Sequence, residues 1–178
     1  SLRRMVGDGA HSLVARALGL PTDEPRVAPV LETFLTCYAA APTRATRHLP
    51  GALELLATLA NLGIPVAVCT NKPGALARTI VAQMLGPLPC IGGGDVAELK
   101  PHPAPVFAAL SILSVPASPK AWMVGDSAQD IEAGRRAGLT TWAIFGGYGG
   151  EGQLLGARAD QQIEDLWALR ARLETCLA

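Results

Sequence analysis

What this sequence has little of bounds it first. Aromatic residues make up 4% of its 178 residues, and fifteen lysines and arginines balance fifteen aspartates and glutamates. A balanced chain with no basic run sets up no field for a polyanion, which argues against a nucleic-acid partner. Cys37, Cys69, Cys90 and Cys176 stand far apart without a Cys-x-x-Cys pair, each within or next to an apolar run, so structural zinc and a disulfide framework are not expected. Nowhere do roughly 18 apolar residues run together as a membrane span needs, and Ser1 to Asp8 holds no apolar stretch of signal-peptide length. The expectation is a cytoplasmic protein without a membrane partner. What is there is a composition of 49% hydrophobic and 17% charged residues, enough to bury a core and far from disordered.

Apolar spacing and chain breakers divide the sequence in two. Residues 9–18 read as a short helix stopped by Gly19 and Pro21. Val27, Val30, Leu31, Phe34, Leu35 and Tyr38 recur at steps of three and four, the mark of one helical face, up to Pro42. Beyond the loop at 42–50 the pattern becomes alternating helices and short apolar runs. Leu53, Leu56, Leu59 and Leu62 suit a helix ended by Gly63, and Ile64 to Cys69 reads as a buried strand before a helix opened by Pro73. Cys90-Ile91 is a short strand, and Pro103 to Ser114 a helix with Val106, Phe107 and Leu110 inward. Strand Ala121 to Val124, a helix through Ala137, strand Thr140 to Phe145 and a closing helix at Leu166, Leu169 and Leu173 complete the series. This alternation predicts an α/β fold with a Rossmann-like parallel sheet and helices on both faces, and ligands in such sheets bind at the carboxyl ends of the strands.

Chemistry-bearing residues stand at those ends. Thr70-Asn71-Lys72 follows one strand, Gly125-Asp126-Ser127 follows another with Asp130 a turn later, and Lys100-Pro101-His102-Pro103 lies between. A hydroxyl and backbone N–H groups can cradle phosphate oxygens, an ammonium can neutralise developing charge, and carboxylates offer Mg²⁺ hard oxygen ligands. Asp126 and Asp130, four apart, fit one side of a helix start, and Gly125 lets backbone approach closely. Each residue has a plainer reading: Thr70 as turn chemistry, Lys100 as a solvated loop lysine, Asp126 as a helix cap. Three independent loops imitating one site is the weaker account. His11, His48 and His102 are too scattered for a metal cluster, Arg44 and Arg47 read as linker charges, and Gly92-Gly93-Gly94 lacks the spacing of a nucleotide loop.

In order and spacing, Thr70-Asn71-Lys72-Pro73, Lys100-Pro101-His102-Pro103 and Gly125-Asp126-Ser127-Ala128-Gln129-Asp130 resemble the second, third and fourth motifs of the haloacid dehalogenase superfamily of phosphohydrolases. The Thr-Asn-Lys-Pro run, Gly93-Gly94-Asp95 and the opening Arg3-Arg4-Met5-Val6-Gly7-Asp8-Gly9-Ala10 resemble its phosphoglycolate phosphatase branch. The resemblance implies a Mg²⁺-dependent phosphatase of a small phosphorylated metabolite, acting through an aspartyl-phosphate. It further implies that Thr70 hydrogen-bonds the phosphoryl group, Asn71 helps orient it, Lys100 balances its charge, Asp126 binds Mg²⁺ with Asp130 nearby, and Lys72, Ser127, Gly7 and Gly9 contact substrate. It divides the chain into a partial helical cap at 1–45 and an α/β core at 46–178 that lacks its first strand.

The departure is the first motif. No Asp-x-Asp occurs in the sequence, and Asp8-Gly9, its nearest imitation, has no buried strand before it. The family's first strand lies between those ending at Thr70 and Asp126, so an unfilled slot in the sheet is expected. Three rivals stay open to different degrees. A response-regulator domain would place its acids before the Thr and Lys, the reverse of the order here. A dehalogenase has no need of the cation that two acids imply. A non-catalytic phosphate-binding relative is permitted by the missing nucleophile.

Overall fold

The computed structural model describes residues 7–145, 147 and 151–177, apart from the side chains of Glu151, Cys176 and Leu177. Helices α1 (Gly9–Leu18) and α2 (Val27–Ala40) come first and pack on each other. Val14, Ala15 and Val27 are buried between them, with Leu20, Leu31 and Phe34 closing the contact, so Val27, Leu31 and Phe34 of the expected face pack there while Val30 is exposed.

Strands and helices then alternate: α3 (Ala52–Asn61), β1 (Val68–Pro73), α4 (Gly74–Met84), β2 (Cys90–Gly93), α5 (Ala104–Ile112), β3 (Trp122–Gly125), α6 (Ala128–Arg136), β4 (Thr140–Ile144), α7 (Glu151–Gly156), β5 (Gln161–Ile163) and α8 (Leu166–Leu177). All pairings among the described residues are parallel, but they form two sheets, β1–β2 and β3–β4–β5, and no ladder joins β1 to β3. Helices cover both faces, as an α/β fold requires. Trp142 and Ile144 point to one face, where Leu55, Ile163, Leu169 and Leu173 meet them. Ala143 points to the other, against Ile131 and Leu154, beside the cluster of Val106, Leu110, Met123, Ala133, Ala137 and Leu139.

Three expectations shift. The first strand runs over Val68–Pro73 instead of Ile64 to Cys69. Pro65 has no N–H for a ladder, and pairing begins only where the Val68 N–H donates to Pro89 O at 2.8 Å. In α3 the inward residues are Leu55 and Leu59; of the expected row only Leu59 joins that cluster, and both ends of the row, Leu53 and Leu62, are exposed. Phe107 is exposed, because Val106 and Leu110, four apart, already fill the α5 face towards Met123. Helix α7 and strand β5 are additions with weak apolar patterns.

Candidate active site

Motif residues 70–72 lie inside a strand irregularity. Cys69 pairs with Ile91 and Pro73 with Gly93, so four steps along β1 oppose two along β2. Bulges of this kind bend a strand and re-aim its side chains. Thr70 Oγ1 accepts the Lys72 N–H at 3.2 Å, a local side-chain turn that leaves the hydroxyl proton for another acceptor.

Asn71 is buried and fully engaged. Its amide nitrogen donates to Lys100 O and to Gly7 O, both at 2.8 Å, and its Oδ1 accepts the Lys100 N–H at 2.8 Å. Asn71 thus holds the Lys100 backbone, and its amide has no hydrogen left to give to a phosphoryl group. Lys100 in turn extends its ammonium to Asp130 Oδ1 at 2.6 Å and to the Cys69 carbonyl on β1. Both side chains of this ion pair are 10% exposed or less. An ammonium has three donors, and the third is uncommitted among the described residues. Buried pairs of this kind are held by geometry and cost several kcal/mol to break from one side.

Asp130 spends its other oxygen on Ser127, accepting the backbone N–H at 3.1 Å and the hydroxyl at 2.7 Å, and Ser127 Oγ accepts the Asp130 N–H. The two form a capping box at the start of α6. Ser127, expected to touch substrate, therefore has its hydroxyl proton committed to the cap. The Ser127-x-x-Asp130 spacing is the sequence signal that points to this. Gly125 is required here, because a Cβ on it would fall 2.3 Å from Asp130 Cβ.

The α1–α2 pair reaches the same rim. Gly7 supplies the carbonyl for Asn71, Asp8 accepts from Gln129 at 2.6 Å and from Arg16, and Gly9 lies against Leu99 and the Asn71 carbonyl. Lys72 donates to Tyr38 Oη at 2.9 Å, with its ammonium 4.8 Å from the ring centre. In the sequence Asp8 reads only as an imitation of the first motif, and neither Tyr38 nor Gln129 has a site role there; the polar tip of Tyr38, at the end of an apolar helical face, is the one hint. Arg47 and His48 lie elsewhere: His48 contacts the Met84 carbonyl at the end of α4, a helix of 11 residues that carries it about 16 Å from the rim. His102 accepts from the Ala104 N–H as a local cap, and His11 is exposed. Residues 1–6, 146 and 148–150, which include part of the opening resemblance and most of the glycine loop after β4, lie outside the described residues.

Asp126 is half-buried at the end of β3, close under Gly147, where a Cβ would fall 2.1 Å from its carboxylate. Among the described residues no three His, Cys, Asp or Glu side chains gather as a metal cage. Mg²⁺ asks for less than a cage, commonly one or two carboxylates with water and phosphate oxygens completing its shell. Asp126 fits that demand. Asp130 does not meet it as it stands, since its oxygens serve Lys100 and Ser127. Burial pushes the Cys69 thiol up, against the pull of the Lys100 ammonium, so no thiolate nucleophile stands at the rim.

The Thr70 hydroxyl and the buried Lys100–Asp130 pair thus stand in and beside the bulged end of β1, and Asp126 follows the end of β3. Residues 3–138 match the hydrolase family described as haloacid dehalogenase-like. The chain belongs to that family. It is 40% identical over 161 residues to a phosphoglycolate phosphatase of Rhodospirillum rubrum, an alignment covering 85% of this chain and 66% of the relative. It is 37% identical over 153 residues to an N-acetylmuramic acid 6-phosphate phosphatase of Pseudomonas aeruginosa, covering 83% and 66%. The chain therefore spans just under two thirds of the length of these relatives. A crystal structure of CbbY from Rhodobacter sphaeroides in complex with phosphate superposes with a TM-score of 0.74 at 25% identity, over 94% of this chain and 78% of that one. The haloacid dehalogenase-like fold, with its Rossmann-like core and helical cap elements, is the architecture described above. No helix among the described residues is long and apolar enough to cross a membrane.

Proposed function

We propose that this chain carries the phosphate-binding and Mg²⁺-binding part of a phosphatase for a small phosphorylated metabolite, with 2-phosphoglycolate as the substrate to test first. The observation that carries this reading is the buried Lys100 ammonium, fixed by Asp130 and by the carbonyl of Cys69, the residue before Thr70. A cation desolvated and held in place before reaction stabilises charge without reorganising. The relatives named above are a phosphoglycolate phosphatase and an N-acetylmuramic acid 6-phosphate phosphatase, which supports a phosphorylated metabolite as the substrate class.

In this reading Thr70 donates its hydroxyl proton to a phosphoryl oxygen and Lys100 directs its remaining N–H to the same group. Asn71 keeps the Lys100 backbone in register, and Asp130 keeps the ammonium pointed. Asp126 would hold Mg²⁺, which supplies further positive charge against the phosphate oxygens. The displacement at phosphorus needs a carboxylate nucleophile that breaks the ester P–O bond, and none of the residues above serves. The break between β1 and β3 is where a strand bearing Asp-x-Asp belongs, with residues 1–45 as part of the cap and 46–178 as the core.

The second reading is a phosphate-binding relative without catalysis, since a fixed Lys100 ammonium can hold phosphate without any nucleophile beside it. Phosphate release from 2-phosphoglycolate, with and without Mg²⁺, separates the two. The chain should turn over only when an apolar strand ending in Asp-x-Asp-Gly-Thr is joined ahead of Ser1. Turnover by the unextended chain would make Asp8 the nucleophile to test, and none by either would favour the non-catalytic reading.

A further inference from the structure

We propose that Tyr38 and Lys72 together form a carboxylate subsite that selects small phosphorylated acids over neutral phosphomonoesters. The inference rests on the phosphate site proposed above and adds the residues that would read the other end of the substrate.

Lysine is scarce in this chain, occurring only at positions 72, 100 and 120. Lys100 is matched by a buried carboxylate. Lys72, half-buried on the same rim, has no carboxylate partner among the described residues: its ammonium meets the Tyr38 hydroxyl at 2.9 Å and the Tyr38 ring face at 4.8 Å. Both contacts stabilise a cation without neutralising it. Two ammonium hydrogens stay available, and the phenol oxygen, which accepts from Lys72, keeps its own proton to donate. Three donors with no anion among them describe a place for one compact oxyanion.

Its position fixes the kind of molecule. Lys72 follows Thr70 by two residues within the β1 bulge, so the backbone between them spans at most about 7 Å. A phosphoryl group on Thr70 and Lys100 and a carboxylate on Lys72 and Tyr38 would belong to one short molecule. The helical pair supplies one half of this subsite, from α2, and the strand end supplies the other. A neutral tail would leave the ammonium half-buried and unmatched, and discrimination of that kind is strong because the site's own polar groups are left unpaired.

The test compares two ligands of nearly equal size, 2-phosphoglycolate and ethyl phosphate, by calorimetric titration of the chain with Mg²⁺ present. The expected result is a preference of about tenfold or more for the acid, the scale of one added hydrogen bond to a charged group. Lys72→Met and Tyr38→Phe, each checked for an unchanged thermal transition, should bring the ratio of the two affinities close to one. Lys100→Met should weaken both ligands together and keep the ratio. A wild-type ratio near one, or a ratio that Tyr38→Phe and Lys72→Met leave intact, overturns the subsite while the phosphate site stands. If neither ligand binds the wild type, the phosphate site fails and takes the subsite with it.

Discussion

The β3–β4–β5 sheet keeps an unbroken register and sets Trp122 against Trp142, ring centres 4.7 Å apart, over a cluster of leucines and isoleucines. The β1–β2 sheet has two strands, one of them bulged at polar residues, and relies on an amide and an ion pair to hold its end. Both halves rest on apolar packing, since Ala77, Val81 and Cys90 bury with Val68, Leu85 and Leu88 under β1–β2; what the smaller sheet adds, at its end, is a set of directional polar bonds. The site lies where they meet, and Lys100 is the link: its ammonium touches a β1 carbonyl and a carboxylate on α6, which packs against β3 and β4. Polar construction suits a rim that must present donors to a ligand, and apolar packing suits the support behind it.

Substitutions can break this division. The largest effect should come from Asp130→Ala, which strands the Lys100 ammonium in a buried place and removes the α6 cap; about 3–5 kcal/mol of stability should be lost in urea denaturation. Leu169→Ala, under the larger sheet, should cost about 2–5 kcal/mol by the same measurement and leave phosphate binding in place, because the residue touches no rim group. Asn71→Ala removes three hydrogen bonds at 2.8 Å at the end of the smaller sheet. It should cost about 1–3 kcal/mol and weaken phosphate binding as well, separating it from Leu169→Ala.

The smallest effect is on the acid limb of stability, and it touches both halves. The Gly92 N–H and then the Arg78 guanidinium hold Asp95 below the usual carboxylate range, and the Thr141 N–H and hydroxyl do the same for Asp160. A folded pKa below the unfolded value adds stability above about pH 3.9, and that stability is lost as pH falls through the folded value. Both groups are exposed, so Asp95→Asn and Asp160→Asn should each flatten the limb by less than about 1 kcal/mol in denaturation curves between pH 5 and 2.

The sequence made the order of Thr70, Lys100 and Asp126 legible, because motif spacing survives without any knowledge of contacts. It also carried the alternation that makes an α/β fold, and the part of the α2 face formed by Val27, Leu31 and Phe34. The first strand slid four residues because Ile64 to Ala67 has the apolar content of a strand but carries Pro65, whereas Thr70-Asn71-Lys72 looks like a loop and enters the ladder. Asp130 was read as a second metal acid because spacing along a helix does not say which way a carboxylate turns; its pairing with Lys100 crosses 30 residues. Contacts such as Gln129 with Asp8, 121 residues apart, leave no local trace at all.

The most direct test of the phosphate-binding rim is equilibrium binding of inorganic phosphate, followed by phosphorus NMR with and without Mg²⁺, in the wild type, Lys100→Met and Asp126→Asn. The account predicts that Mg²⁺ tightens binding in the wild type, that Asp126→Asn removes the Mg²⁺ effect, and that Lys100→Met weakens binding about tenfold or more with and without the metal. Equal phosphate affinity in all three folded proteins would contradict it.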